Sequence, residues 1–179
     1  MKVCSIAATV AACATLGCTS PHAPTPLDGL IGFVDPYRCT TSEDFGVLLE
    51  SLIRWERSGE SYTPILQAPV VPPAFKPQIG EPGLMIDDRE YRASLPLDGT
   101  WRGLPLRSLV VLGRIESESG FELVFDAPPA TVLEAANRAG FRIPASGSEY
   151  RDDLNGVMGM NVAVTETEDG RGALSCFPG

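Results

Sequence analysis

Histidine is almost missing from this chain. One residue in 179 is histidine, His22, and it stands in a proline-rich stretch near the N-terminus. A Ser-His-Asp triad, a Cys-His dyad and a multi-histidine metal site are therefore excluded from the body of the protein. Basic residues are also scarce: Lys plus Arg number 14 against 23 Asp plus Glu, a formal charge of −9. That balance excludes nucleic acid as the main partner, because phosphate binding needs a cationic face. No run after residue 20 has the roughly 18 apolar residues that a membrane-crossing helix requires. Glycines occur without a G-x-G-x-x-G or P-loop pattern. Ser108, Ser146 and Ser148 lack the setting of a nucleophile elbow. Beyond residue 18 only Cys39 and Cys176 are cysteine, far apart and not in a C-x-x-C pattern, so neither zinc nor thiol redox chemistry is indicated. No cofactor or metal is expected.

What is present suffices for one folded domain. Hydrophobic residues make up 44% and charged residues 21%, enough to build a core. The N-terminus, MKVCSIAATVAACATLGC, carries one charge and then small and apolar residues. It reads as a signal peptide over residues 1–17. Two cleavage sites compete. Ala12-Cys13-Ala14 has the small-x-small form, which would give a secreted protein cut after Ala14. Thr15-Leu16-Gly17-Cys18 resembles the lipobox of bacterial lipoproteins, with Thr15 where that family usually has leucine. The resemblance implies lipidation of Cys18.

The cysteine count separates the two. Cleavage after Ala14 leaves Cys18, Cys39 and Cys176, an odd number in an oxidising compartment. Cleavage after Gly17 makes Cys18 the lipid anchor and leaves one pair, Cys39 and Cys176, to form a disulfide. Residues 18–28 then form an anchor cysteine and Pro-rich tether, and 29–179 a single domain. The expected location is the bacterial cell envelope, facing the periplasm and held to a membrane through Cys18.

Hydrophobic period sets the elements. Phe45, Leu48, Leu49, Leu52 and Ile53 form a helical stripe. Thr40 and Glu43 suggest its capping box, with Thr41 and Ser42 as rival caps, Glu50 and Arg54 an i,i+4 pair, and Gly59 its stop. Residues 63–83 hold six prolines and read as an extended strap. Alternation over Tyr91–Leu97, with Asp98-Gly99 as a tight turn, predicts a hairpin returning through Thr100–Leu106. Further strands are expected at 109–116 and 121–125. A helix follows from Pro128 or Pro129 to Gly140, then a polar loop over 144–159 and a final hairpin around Asp169-Gly170. Consecutive hairpins with separate helices indicate an α+β fold with an antiparallel sheet.

Without histidine, recognition is the simplest use of such a domain. Trp101 and Arg102, and Tyr150 and Arg151, are residue types that dominate binding hot spots. Asp87, Asp88 and Glu90 cluster just before the Tyr91 strand and suit a basic partner. Read as paired carboxylates, the same three residues would instead serve a hydrolase. The expected function is an envelope lipoprotein that binds a basic protein, an inhibitor or immunity protein for a basic cell-wall-degrading enzyme being the specific case. A non-catalytic structural or assembly component of the envelope is the alternative, the hydrolase the third.

Overall fold

The computed structural model describes residues 23–152 and 159–178. The expected signal peptide, Cys18 and the start of the tether lie outside the described residues. Along the chain come β1 (Phe33–Asp35), a 3-10 turn (Pro36–Arg38), β2 (Thr40–Thr41), α1 (Glu43–Ser51), β3 (Ile53–Ser58) and β4 (Ser61–Leu66). After a second 3-10 segment (Pro73–Gln78) follow β5 (Gly83–Asp87), β6 (Glu90–Trp101), β7 (Leu104–Arg114), β8 (Ser119–Phe125) and α2 (Pro129–Arg138). The chain closes with β9 (Ser148–Arg151), β10 (Met160–Glu166) and β11 (Gly172–Pro178).

Seven strands form one sheet in the order β5-β6-β7-β8-β11-β10-β9. All the pairings are antiparallel. The first four strands meander. The chain then passes through α2 to the far edge and returns, so that β11 fills the place beside β8. The fold is α+β, built from hairpins, as the alternation predicts.

One face of the sheet carries the core. Tyr91, Ala93, Leu95, Leu109, Phe121, Leu123, Leu174 and Val162 point into it. Phe45 and Leu48 of α1, and Val132 and Ala136 of α2, cover them. Phe33 gathers the aromatic residues, with ring centroids 5.5 Å from Phe45, 6.2 Å from Trp101 and 4.8 Å from Phe141. Cys39 and Cys176 are bonded beneath this face, their Cα atoms 6.1 Å apart.

Local signals succeed where nothing longer-ranged competes. Pro129 opens α2 at its first turn. Gly140, at φ +105°, closes it, with the Phe141 N–H donating to the Ala136 carbonyl as a Schellman stop requires. The hairpin around Asp169-Gly170 forms.

The loop expected over 144–159 contains strand β9, paired with β10, and the strap expected over 63–83 contains the end of β4 and a 3-10 segment. Three further expectations are corrected. The first helix stops at Ser51, and Ile53 onward is strand β3. β-branched Ile53 and aromatic Trp55 suit a hairpin with β4, whose turn uses Gly59 at φ +64°. Glu50 and Arg54 therefore share no helix, and of the three rival caps it is Ser42 that precedes α1. Secondly, Asp98-Gly99 is not a turn. β6 runs on to Trp101, and the turn falls at Arg102-Gly103, both at positive φ as a type I′ turn demands. Gly99 serves close approach instead: a Cβ there would lie 2.5 Å from the Thr25 carbonyl oxygen. Thirdly, the folded body begins before residue 29. Pro26 bridges Thr100, the Leu27 N–H donates to the Thr100 carbonyl, and Leu27 is fully buried.

Candidate functional site

Side chains alternate across a strand, so a sheet whose inner face is covered shows a second set on its outer face. None of the described helices packs on that outer face. Register pairs trace its rows from edge to edge. Met85 on β5 lies opposite Arg92 on β6, Arg92 opposite Leu112 on β7, and Leu112 opposite Gly120 on β8. The Phe177 ring of β11 lies over Gly120, where a Cβ would come within 2.4 Å of it. Phe177 pairs with Asn161 on β10, and Asn161 with Tyr150 on β9. The next row reads Gly83, Ser94, Val110, Glu122, Ser175, Ala163, Ser148. Seven strands about 4.8 Å apart make the face roughly 30 Å wide.

Met85 (60% exposed) and Tyr150 (52% exposed) stand at the two edges, with half-buried Leu112 and Phe177 between them. The Arg92 guanidinium reaches the Glu122 carboxylate at 3.0 Å, crossing β7. Two clefts open on this face and share Met85 and Arg92. The first, about 440 Å³, has Leu112 and Phe177 in its lining and carries Asp87, Glu90 and Glu118. The second, about 660 Å³, is lined by Glu122, Val124, Glu166, Glu168 and Asp169 among others.

Seven carboxylates and four arginines line the two clefts together. Arg92 is taken by Glu122, Arg107 by Asp126, and Arg171 by Asp126 and Asp169. Asp87, Glu90, Glu118, Glu166 and Glu168 have no ion-pair partner among the described residues, and neither does Arg114. The Thr167 hydroxyl, bonded at 2.6 Å, and the nearby Arg171 hold the Asp169 carboxyl below the usual carboxylate range. The unpaired charge of the face is thus predominantly negative.

The residues singled out by sequence scatter. Asp87 and Glu90 face each other at the end of the β5–β6 hairpin and line the first cleft. Asp88 sits in the turn between them at φ +52°, exposed, outside the cleft lining. Tyr150 shares the outer face. Trp101 does not belong to any surface. It is fully buried, and its indole N–H donates to the Ile31 carbonyl at 2.9 Å. Arg102 is exposed at the opposite end of β6, with its Nε 3.3 Å from Asp28. Arg151 is also withdrawn from binding. It is 7% exposed, stacks 4.2 Å from the Tyr37 ring centroid, pairs with Glu149 and donates to the Tyr37 and Phe141 carbonyls. Burial of a guanidinium is tolerated here because its donors are satisfied.

Sequence reasoning missed Met85, Arg92, Leu112 and Phe177. A signal was present in Leu109-Val110-Val111-Leu112, four apolar residues in a row. Strict alternation would expose two of them, so such a run marks a strand with apolar contacts on both faces. Among the described residues no group of three His, Cys, Asp or Glu side chains is arranged to hold a metal ion. No described helix is long and apolar enough to cross a membrane. Comparison with protein-family models, curated proteins and solved structures finds no match to this chain.

Proposed function

We propose that this chain is a lipid-anchored protein of the bacterial envelope whose domain binds a basic protein through the open outer face of its sheet. The observation that carries the reading is that face: a row in which Met85, Leu112, Phe177 and Tyr150 alternate with Arg92, Gly120 and Asn161, bordered by carboxylates without ion partners among the described residues. Exposed apolar area rimmed by charge is the usual form of a protein-binding site, and acidic rims speed encounter with a cationic partner. A basic enzyme that degrades cell wall is the specific partner class proposed, with the domain as its inhibitor or immunity protein.

Export is supported by the Cys39–Cys176 bond, because disulfides persist in oxidising compartments. The bond accounts for both cysteines of the folded body and leaves Cys4, Cys13 and Cys18 in the N-terminal stretch. The tether enters beside Thr100, whereas the first cleft lies at the Tyr91 end of β6. At about 3.3 Å per residue those positions are roughly 30 Å apart, so a domain tethered at Cys18 presents that cleft away from its attachment.

The test is capture of a partner from envelope extracts by residues 18–179 carrying Cys18→Ser, beside the same domain with Leu112→Glu or Phe177→Ser. A cationic protein retained by the first and lost from the others, at unchanged melting temperature, is expected. Equal retention by all three removes the outer face from the proposal. Radiolabelled palmitate should mark the full chain but not Cys18→Ser, and equal labelling would remove the anchor.

A further inference from the structure

The sheet has two edges, and they are protected unequally. β9 carries Glu149 and Arg151, charges of the kind that discourage strand pairing. β5 reads Gly-Leu-Met-Ile-Asp, with no charge and no proline from Gly83 to Ile86. Met85 and Ile86 on it are 60% and 45% exposed, on opposite faces.

The hairpin geometry shows which backbone groups are free. β5 and β6 are joined by two residues, Asp88 and Arg89, with Asp87 opposite Glu90. In a two-residue hairpin the closing pair is hydrogen-bonded, so Asp87, Met85 and Gly83 turn their N–H and C=O groups toward β6. Leu84 and Ile86 turn theirs outward, and neither has a hydrogen-bond partner among the described residues; β4 approaches β5 but belongs to a separate two-stranded sheet and does not pair with it. Two donors and two acceptors at antiparallel spacing make a template for an added strand.

Charge selects the occupant. Glu81, Asp87, Asp88 and Glu90 bracket β5, all exposed and without ion partners among the described residues. A second copy would bring the same carboxylates and a formal charge of −9 against −9. A segment with basic flanks meets them favourably. Its alternate side chains would lie beside Met85 on one face and beside Leu84 and Ile86 on the other.

We propose that the free edge of β5 takes up an extended segment of the basic partner as an added strand, with an apolar β-branched centre and Lys or Arg at its flanks. The inference rests on the basic-partner reading above and names how that partner is held.

The probe is the peptide acetyl-Lys-Thr-Val-Thr-Val-Lys-amide, titrated into the domain with backbone amide shifts and exchange followed by NMR. Saturable shifts at Leu84 and Ile86, with their exchange slowed at least about tenfold, are expected. The Glu-flanked peptide and the peptide methylated at alternate amide nitrogens should produce neither. Ile86→Pro should abolish the effect while keeping the β5–β6 ladder, since the Ile86 N–H takes no part in it. Shifts confined to Leu112 and Phe177, or equal binding of the Glu-flanked peptide, overturn the proposal. Protection of Leu84 and Ile86 that grows with protein concentration alone also overturns it and assigns the edge to a second copy. A partner captured by Ile86→Pro as well as by the wild type, yet lost from Phe177→Ser, sinks this inference and leaves the outer-face reading standing.

Discussion

The indole N–H of Trp101 donates to the carbonyl of Ile31 at 2.9 Å, fastening the N-terminal segment beneath the end of β6. The ring has no exposed surface and sits between Phe33, Phe125 and Phe141. Trp101→Phe keeps most of the packing but strands a buried carbonyl, at a cost of about 1–3 kcal/mol. Trp101→Ala adds a cavity and should cost about 3–5 kcal/mol. Partner affinity of the folded fraction should not change. Urea midpoints measure the first effect, and an Ala variant with the wild-type midpoint would show that the ring is not in the core.

Arg151 gives a second stability prediction. Its guanidinium satisfies the carbonyls of Tyr37 and Phe141 and the carboxylate of Glu149 from one planar fork. Arg151→Met leaves those acceptors without a donor and should destabilise by about 3 kcal/mol or more. Arg151→Lys cannot reproduce the fork and should recover only part of the loss. Arg102→Ala, at an exposed ion pair, should cost less than about 1 kcal/mol. Denaturation curves that rank the Arg102 change as the larger would refute the assignment.

Alkaline conditions should weaken the fold through Tyr91. Burial raises its phenol above the usual value near 10, opposed in part by a hydrogen bond with the Ser119 side chain. A raised folded value means the native state holds the proton longer than the unfolded chain does. The stabilisation is complete below pH about 10 and is lost as pH climbs from there through the folded value. Melting temperatures between pH 9 and about 12 should fall less steeply for Tyr91→Phe than for the wild type. Parallel curves would mean that Tyr91 does not govern the transition.

Reduction tests the covalent clamp. Cys39 and Cys176 lie 137 residues apart in sequence. Closing a loop of that length is worth about 5 kcal/mol in the chain-entropy model, comparable to the net stability of many domains. Cys39→Ser should lower the melting temperature clearly and leave Cys176 reactive to a thiol probe once the protein opens. Free labelling of both thiols in native wild-type protein would show that the bond is absent.

Legibility in the sequence followed the range of the forces involved. The stop of α2 at Gly140-Phe141 is built from groups five residues apart, and its signature was readable. The end of α1 was not. Leu52 and Ile53 continue the helical stripe, yet Ile53 pairs with Leu66 across a hairpin, thirteen residues along the chain. Asp98-Gly99 misled for a similar reason. The dipeptide suits a tight turn, but Gly99 is used by Thr25 and Leu27, more than seventy residues earlier.

The candidate site was half readable. Asp87 and Glu90 were visible as a charged cluster, and the first cleft includes both. Tyr150 was visible as an aromatic residue in a polar stretch, and it stands on the same face. Trp101 and Arg151 misled because residue type carries no information about depth. Both have polar groups that a core can satisfy with carbonyls, Ile31 for one and Tyr37 and Phe141 for the other. Phe177 and Leu112 escaped notice because an apolar residue in a strand reads as core by default.

By itself, the sequence determined the class of fold, the single pair of body cysteines, the acidic balance and the lone histidine at position 22. Each follows from composition or from contacts a few residues long. Only the tertiary structure decided which face of the sheet is covered, where Trp101 goes and which strand is left at the edge. A period of two divides a strand into two faces without saying which one the helices will cover. That choice is made by packing among residues far apart in the chain, here by Phe33, Phe45, Trp101 and Phe141 meeting on one side.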